Sequence, residues 1–137
     1  MNNEKLVLVD SPGYGTALGI SKEIKSWQRL MEVYLKKSTF LHKILLLVDS
    51  QVGISGEDKL LLEYCQETKK PSIICYTKAD LINRKRVDEL VEQTKEIHKN
   101  MAMINPFVHF VSAKNGFGID ELKHNISFSI GDNILKV

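Results

Sequence analysis

Short, uninterrupted apolar runs alternate along this chain with segments of helical periodicity, and this alternation constrains the fold more than any other feature. The runs are residues 5–10 (KLVLVD), 43–49 (KILLLVD), 72–76 (SIICY) and 107–111 (FVHFV). Continuous apolar runs of this length are typical of strands that are buried on both faces of a parallel sheet.

The segments that follow these runs have the periodicity of amphipathic helices. Apolar residues recur at steps of three and four within residues 24–35, 60–65, 87–97 and 119–130. The resulting β-α-β-α-β-α-β-α order predicts an α/β fold of three layers around a parallel sheet. We expect one domain over residues 1–130 and a C-terminal tail over residues 131–137.

Composition excludes several classes of protein. The chain has 137 residues and a formal net charge of +2. The basic pair at 69–70 and the basic triplet at 84–86 fit solvated helix ends rather than a concentrated basic stripe that binds nucleic acid. The apolar run at 44–48 is too short to cross a bilayer, so no membrane is expected. Cys65 and Cys75 lack metal-ligand spacing, which favours reduced thiols in the cytoplasm or an organellar matrix.

Ligands of parallel α/β sheets bind at the carboxyl ends of the strands, so the informative residues are those after each run, namely 10–13, 49–50, 77–80 and 112–114. Asp10-Ser11-Pro12-Gly13 follows the first run. Asp10 can accept hydrogen bonds from the water shell of Mg²⁺, and Gly13 lets a backbone N–H approach a phosphate oxygen. A simple strand-to-loop turn is the alternative, because Pro and Gly are common in turns.

The third run is followed by Thr77-Lys78-Ala79-Asp80. A carboxylate such as that of Asp80 can accept two parallel hydrogen bonds from adjacent N–H groups, which guanine offers and adenine does not. Lys78 can lay its alkyl stem along a base and keep its ammonium in solvent. The alternative is that Asp80 caps a helix beside a surface lysine.

The fourth run is followed by Ser112-Ala113-Lys114. These small residues let backbone N–H groups approach a base carbonyl oxygen, and Ser112 can brace the loop by bonding nearby groups. A turn at the following Asn115-Gly116 is the alternative explanation.

Together, Asp-x-x-Gly, Thr-Lys-x-Asp and Ser-Ala-Lys resemble the third, fourth and fifth guanine-nucleotide motifs of the P-loop GTPases. Residues 10–17 (DSPGYGTA), residues 27–35 (WQRLMEVYL) and Thr77 are similar to the EngB-type GTPases of ribosome assembly. The similarity runs from about residue 5 to about residue 130. It implies GTP or GDP with Mg²⁺ as cofactors, Asp10 as the residue near the metal, and a ribosomal subunit or its RNA as a partner.

The family's P-loop, Gly-x-x-x-x-Gly-Lys-Ser/Thr, does not occur in this sequence. The family places it upstream of Asp10, so we expect a partial GTPase domain without the first strand and the P-loop. Loss of several charged hydrogen bonds should weaken GTP binding by on the order of 10³-fold. We therefore expect no useful GTP hydrolysis and assign no catalytic residue.

Three interpretations stay open. The chain is a guanine-recognising part of a GTPase, a non-catalytic pseudo-GTPase that binds a ribosomal or protein partner, or, less favoured, a flavodoxin-like domain for another ligand. Without the first strand of the family, runs 5–10 and 43–49 would have open edges. We expect either that the first run pairs with residues 44–48 or that two copies share their sheet edges as a homodimer.

Overall fold

Three parallel strands form the sheet of the computed structural model, which describes residues 6–11 and 21–134. The strands are β1 (Ile44–Asp49), β2 (Ser72–Thr77) and β3 (His109–Phe110), in the spatial order β1-β2-β3. The helices are α1 (Ser21–Lys37), α2 (Gly56–Glu67), α3 (Arg84–Asn100) and α4 (Ile119–Ile134), and a short 3-10 turn covers Ala79–Leu81. The predicted α/β class with a parallel sheet is confirmed.

The strand register brings the strand ends to one edge of the sheet. Asp49, the last residue of β1, lies opposite Thr77, the last residue of β2. Tyr76 lies opposite Phe110, the last residue of β3, and the two rings stack with centroids 5.1 Å apart. The loops that leave the three strands therefore begin side by side.

One face of the sheet carries the main apolar core. Alternate residues of a strand point to the same face, and Leu46 and Val48 of β1 join Ile74 and Tyr76 of β2 in this core. The helices contribute Met31 and Leu35 from α1, Leu61, Leu62 and Cys65 from α2, and Leu90 from α3.

The burial of β1 differs from the prediction. All residues of β2 from Ser72 to Tyr76 are buried, as expected for a strand covered on both faces. In β1, by contrast, Leu45 and Leu47 are 37% and 60% exposed. One face of β1 is therefore partly open, and the expectation that both of its faces are buried is wrong. Among the described residues β1 also pairs with β2 alone, so it lies at the edge of the sheet.

Two helices begin at side-chain caps that the sequence supplies. Ser55 accepts a hydrogen bond from the N–H of Asp58, and the carboxylate of Asp58 accepts one from the N–H of Ser55, which forms a capping box at the start of α2. At the start of α3, Asn83 accepts a hydrogen bond from the N–H of Arg86 at 2.9 Å.

The first predicted strand is not formed. Residues 6–10 have no regular structure and do not pair with β1, and Val7 and Leu8 are 74% and 76% exposed. An apolar run becomes a strand only where a neighbour takes up its backbone hydrogen bonds, and the described residues offer this run none. The expectation that it shifts to pair with residues 44–48 is therefore wrong.

Smaller differences concern the other predicted boundaries. β3 has two residues rather than the predicted 107–111, and Phe107 is 82% exposed. α4 continues to Ile134, so residues 131–134 of the predicted tail are helical. Lys70 is not simply solvated, since its ammonium donates to the carbonyls of Ser38 and Leu41 at 3.1 and 3.4 Å.

The two cysteines lie in the interior, Cys65 on α2 and Cys75 on β2, and both are free thiols. Burial raises the pKa of Cys75 to about 11 and also raises the pKa of Cys65. Both thiols are therefore unreactive near neutral pH. Within residues 6–11 and 21–134, no helix combines the length and apolar character that crossing a bilayer requires.

Candidate functional site

The loop after β2 carries Thr-Lys-Ala-Asp, and its backbone turns sharply at the lysine. Thr77 ends β2, and its hydroxyl Oγ1 donates to the carbonyl of Val48 at 3.4 Å. Lys78 has a left-handed backbone conformation, with φ 56° and ψ 38°. This conformation costs a non-glycine residue about 1–2 kcal/mol, so it persists only where neighbouring contacts hold it.

The turn after β1 supplies those contacts. The carbonyl oxygen of Lys78 accepts hydrogen bonds from Ser50 Oγ at 3.2 Å and from the N–H of Leu81 at 3.0 Å. Ser50 is fully buried, and its own N–H donates to the carbonyl of Thr77 at 3.1 Å. The ammonium of Lys78 lies 2.7 Å from Oδ2 of Asp49 rather than free in solvent. The ends of β1 and β2 thus form one hydrogen-bonded unit.

The loop after β3 joins the same unit. Ser112 is fully buried, and its Oγ donates to Oδ1 of Asp80 at 2.7 Å. The N–H of Ala79 donates to the carbonyl of Val111 at 3.0 Å, which gives a second connection between the two loops. The carboxylate of Asp80 therefore turns towards the Ser-Ala-Lys loop.

The Ser-Ala-Lys loop is a closed turn with two exposed residues at its tip. Ser112 accepts from the N–H of Gly116 at 2.9 Å through its carbonyl, and from the N–H of Asn115 at 3.3 Å through its hydroxyl. Ala113 and Lys114 are exposed, and their backbone N–H groups donate to no acceptor within the described part of the chain. Both N–H groups are therefore available to a ligand.

This arrangement places a carboxylate acceptor beside backbone donors. An ionised carboxylate has about four lone-pair sites, and Asp80 uses one of them for Ser112. The others can accept two parallel N–H groups from a ligand. The N–H groups of Ala113 and Lys114 can donate to a carbonyl oxygen. A purine that presents two adjacent N–H donors and a carbonyl oxygen on one edge satisfies both sets.

The capping alternative for Asp80 is wrong. Asn83 caps α3, whereas Asp80 lies in the 3-10 turn before it, with its carboxylate bonded to Ser112. The alternative for the Ser-Ala-Lys loop, a turn at Asn115-Gly116, is formed as well, since Gly116 has φ 81°. The turn at Asn115-Gly116 and the exposed residues Ala113 and Lys114 therefore occur together in the Ser-Ala-Lys loop.

Two predicted residues, Asp10 and Gly13, remain. Asp10 is exposed in an irregular segment, and Gly13 lies outside the described residues. Across residues 6–11 and 21–134, no group of three or more His, Cys, Asp or Glu is placed to hold a metal ion. Mg²⁺ is often held by one or two carboxylates together with phosphate and water, so a single exposed carboxylate fits such a role, and the assignment of Asp10 stays a prediction.

The turn after β1 was expected to be informative only because it follows a strand, and the sequence patterns assign no specific role to Asp49 or Ser50. Arg86 was expected to be a solvated helix-end charge, and this is wrong. Its Nε donates to the carbonyl of Ser50 at 3.1 Å, and its Nη2 donates to the carbonyl of Gln51 at 3.4 Å. These contacts span more than thirty residues of sequence, so only the position of Asp49 and Ser50 at a strand end pointed to them.

A cavity of about 300 Å³ lies at the opposite edge of the sheet, where β2 begins. Its lining includes Ser72, Met103 and Asn105, and Lys43 is its only titratable side chain. Ser72 Oγ donates to the carbonyl of Lys70 and Asn105 Oδ1 accepts from the N–H of Phe107, so these polar groups bond to backbone, whereas Asp80 and Ser112 bond to each other. The strand ends, rather than this cavity, carry the chemistry.

The ion pair between Lys78 and Asp49 should give a small acid dependence of stability. The hydrogen bond from Lys78 lowers the pKa of the Asp49 carboxyl below 3.8, and the N–H of Gln51 acts in the same direction. The stabilisation is therefore complete above the unfolded-state pKa and is lost as pH falls through the folded-state value. For so exposed a pair we expect less than about 1 kcal/mol.

Urea unfolding of the chain and of Asp49→Asn at pH 6 and pH 3 checks this expectation. The difference in the free energy of unfolding between the two proteins should shrink at pH 3 and in high salt. Asp120→Asn, at an exposed helix start, serves as the control. An Asp49→Asn protein that loses as much stability in acid as the parent chain would contradict the role of the pair.

Comparison with known proteins identifies the family. The family described as the Elongation factor Tu GTP binding domain matches residues 26–130. A probable GTP-binding protein EngB from Desulfatibacillum aliphaticivorans is 37% identical over 125 residues, which is 90% of this chain and 59% of that protein. The corresponding protein of Allorhizobium ampelinum is 32% identical over 126 residues, covering 92% of this chain and 58% of its own length. The chain thus spans less than two thirds of these curated relatives.

Solved structures share the fold. The apo crystal structure of translation elongation factor SelB from Methanococcus maripaludis has a TM-score of 0.71 at 22% identity, over 90% of this chain and 24% of that one. A crystal structure of a probable GTP-binding protein EngB has a TM-score of 0.69 at 21% identity, over 88% of this chain and 74% of that one. The chain therefore belongs to the elongation factor Tu GTP-binding domain family of P-loop GTPases, and within these it is of the EngB type.

Proposed function

We propose that this chain binds guanine nucleotides by their base. The observation that carries the proposal is the 2.7 Å hydrogen bond from Ser112 Oγ to Asp80 Oδ1, which joins the two motif loops into one site. Asp80 pairs with the ring N–H and the exocyclic amine of guanine. The N–H groups of Ala113 and Lys114 donate to the guanine carbonyl oxygen, and Thr77 and Lys78 form the turn that carries Asp80.

Lys78 completes the base site in this proposal. Its ammonium is held by Asp49 at 2.7 Å, so the alkyl stem is tethered across the strand ends instead of moving freely. A tethered stem can cover one face of a planar base with apolar surface. Its side chain is 57% exposed, which leaves that surface accessible to a ligand.

The phosphates contribute less than the base in the 137-residue chain. Its sequence contains no Gly-x-x-x-x-Gly-Lys-Ser/Thr, the element that holds phosphates and Mg²⁺ in P-loop proteins. Binding of GTP or GDP should therefore be weaker, by on the order of 10³-fold, than in a domain that has this loop. Asp10 near Mg²⁺ and Gly13 near phosphate remain part of the proposal.

A titration of the whole chain with GDP, guanosine and ADP, followed through backbone amide NMR signals, tests the proposal. GDP should shift the amides of Ala79, Ala113 and Lys114 in a saturable way, and guanosine should bind within about tenfold of GDP because the phosphates add little. ADP at the same concentrations should not saturate these shifts, since adenine would leave Asp80 unpaired. Equal binding of ADP would refute base recognition and favour another ligand class.

The cellular role follows from the EngB-type relationship. We extend the proposal to ribosome assembly, with a ribosomal subunit or its RNA as partner, and to a reducing compartment, cytoplasmic or organellar, which the free thiols of Cys65 and Cys75 support. Cosedimentation of the chain with isolated ribosomal subunits tests the partner, and the absence of the chain from every pellet would count against it.

A pseudo-GTPase that binds such a partner without catalysis is the second candidate. These 137 residues contain no P-loop string, and we expect them to show no measurable GTP turnover. GTP hydrolysis above the rate of a buffer blank would exclude it.

Self-association is a further part of the proposal. In the described residues β1 lies at the end of the sheet order, and this unpaired edge supports a homodimer in which two copies pair their sheet edges. Sedimentation equilibrium tests it, and a monomer at all accessible concentrations would rule it out.

A further inference from the structure

The start of α3 is bonded to the turn after β1 through a single side chain. The guanidinium of Arg86 donates to the carbonyl of Ser50 through Nε at 3.1 Å and to that of Gln51 through Nη2 at 3.4 Å. Its Nη1 donates to Glu89 at 3.2 Å, and its backbone N–H donates to Asn83 at 2.9 Å. With the side chain only 31% exposed, Arg86 is a connector within the protein rather than a surface charge.

The turn after β1 also holds the Thr-Lys-Ala-Asp loop. Ser50, whose carbonyl Arg86 binds, donates its hydroxyl to the carbonyl of Lys78 at 3.2 Å. Lys78 is the left-handed residue that redirects the chain. After Lys78, the N–H of Ala79 donates to the carbonyl of Val111, and the carboxylate of Asp80 accepts a hydrogen bond from Ser112. The contacts therefore run from α3 through the turn to the base-reading carboxylate.

We propose that Arg86 is a positioning residue for guanine recognition, which acts on Asp80 through Ser50 and the left-handed Lys78. The inference rests on the proposed base recognition by Asp80. Arg86 does not touch the ligand in this scheme. It fixes the carbonyls of the turn, and the turn fixes the orientation of the acceptor.

The geometry requires arginine rather than any cation. A guanidinium presents several donors in a rigid plane and can bind two carbonyls at once, whereas a lysine ammonium is a point charge on a flexible stem. Gly53, with φ +83°, leaves room for this plane, because a Cβ there would come 3.0 Å from Nη2 of Arg86. Glycine at position 53 and arginine at position 86 are therefore matched to each other.

Hydrogen exchange of the unliganded 137-residue chain tests the structural part of the proposal. Arg86→Lys should speed the exchange of the amides of Ala79 and Leu81 by about tenfold or more, which corresponds to losing one charge-assisted hydrogen bond. The exchange rates of amides inside β2 should rise much less than those of Ala79 and Leu81. Arg84→Lys is the control, since Arg84 lies on the same helix turn and pairs only with the exposed Asp88 in the described residues.

Ser50→Ala provides an independent test, because it removes the next bond in the series and leaves Arg86 in place. It should speed exchange at Ala79 and Leu81 in the same selective way. If exchange in either variant is unchanged, or rises equally throughout β2, Arg86 has no positioning role and the inference is wrong.

The ratio of the affinities for GDP and inosine diphosphate tests the effect of Arg86 on guanine recognition. Inosine lacks the exocyclic amine that donates a hydrogen bond to Asp80 in the proposed site. Arg86→Lys should lower this ratio by about tenfold, and adding it to Asp80→Asn should lower it no further. An unchanged ratio in Arg86→Lys, or full additivity in the double variant, would overturn the proposal. If the parent chain itself does not distinguish the two nucleotides, base recognition fails, while the exchange data still decide whether Arg86 holds the loop.

Discussion

Replacing Asp80 with asparagine is expected to remove the preference of this chain for guanine. The carboxylate accepts hydrogen bonds from two adjacent N–H groups of the base. The asparagine amide has only one acceptor atom, and its NH₂ group would face the second N–H of guanine, where two donors cannot bond to each other. Hydrogen bonds to a charged group contribute about 1.5–3 kcal/mol each, so the loss of two corresponds to roughly 10²–10⁴-fold in GDP affinity.

The same change should create a preference for xanthine. Xanthine has an oxygen where guanine has its exocyclic amine, and the asparagine amide can donate to that oxygen. The asparagine carbonyl can still accept from Ser112, which lies 2.7 Å from Asp80 Oδ1, so the two loops should stay joined. A reversal of selectivity, rather than general weakening, distinguishes base recognition from damage to the fold.

The measurement is a titration of the parent chain and Asp80→Asn with GDP and xanthosine diphosphate by amide chemical shift. Asp88→Asn, which changes a carboxylate on the exposed side of α3, is the matched control and should leave both affinities unaltered. Unchanged discrimination in Asp80→Asn would remove Asp80 from the site and with it the proposed function.

Among the glycines at positions 53, 56, 116 and 118, Gly118→Ala is expected to cause the largest loss of stability. Gly118 has φ +71°, and a Cβ at this position would lie 2.0 Å from the carbonyl oxygen of Phe110. That atom belongs to the backbone at the end of β3 and cannot move without shifting the strand. The left-handed conformation costs about 1–2 kcal/mol and overpacking about 1–3 kcal/mol, which together predict roughly 2–5 kcal/mol.

Two other glycines separate these contributions. Gly116 has φ +81° and nothing within 4 Å of an added Cβ, so Gly116→Ala should show the conformational cost of about 1–2 kcal/mol alone. Gly56, at the start of α2, has neither strain nor close neighbours, and Gly56→Ala should be neutral or stabilise by about 0.4–1 kcal/mol. Urea unfolding followed by circular dichroism gives the order, and equal effects of the three substitutions would contradict the contact at Phe110.

The sequence predicted the loops of the site well, because their position depends on local patterns and on a general property of parallel sheets. Apolar runs that end in Asp49, Tyr76 and Val111 located three strand ends, and the register then brought those ends together. The orientation of Asp80 could not be predicted in this way. Capping a helix and pairing with Ser112 fit the same residues, and only the presence of Asn83 as the cap decides between them.

The failures have one physical cause, which is dependence on distant partners. Residues 6–10 have the composition of a strand, yet a strand needs a neighbour, and the pattern of a run does not reveal whether one is present. The unpaired edge of β1 among the described residues follows from the same fact. The contacts of Arg86 with Ser50 and Gln51 join residues 36 and 35 positions apart, beyond the reach of any local pattern.

The position of Trp27 gives the chain an internal optical probe. It is the only tryptophan in the sequence, and it lies half-buried on α1, against the main core. α1 packs chiefly on α2, so indole emission follows the detachment of this helix, whereas the far-ultraviolet signal averages over every helix and strand. Melting curves that do not coincide would mean that α1 leaves the body of the protein as a separate cooperative unit.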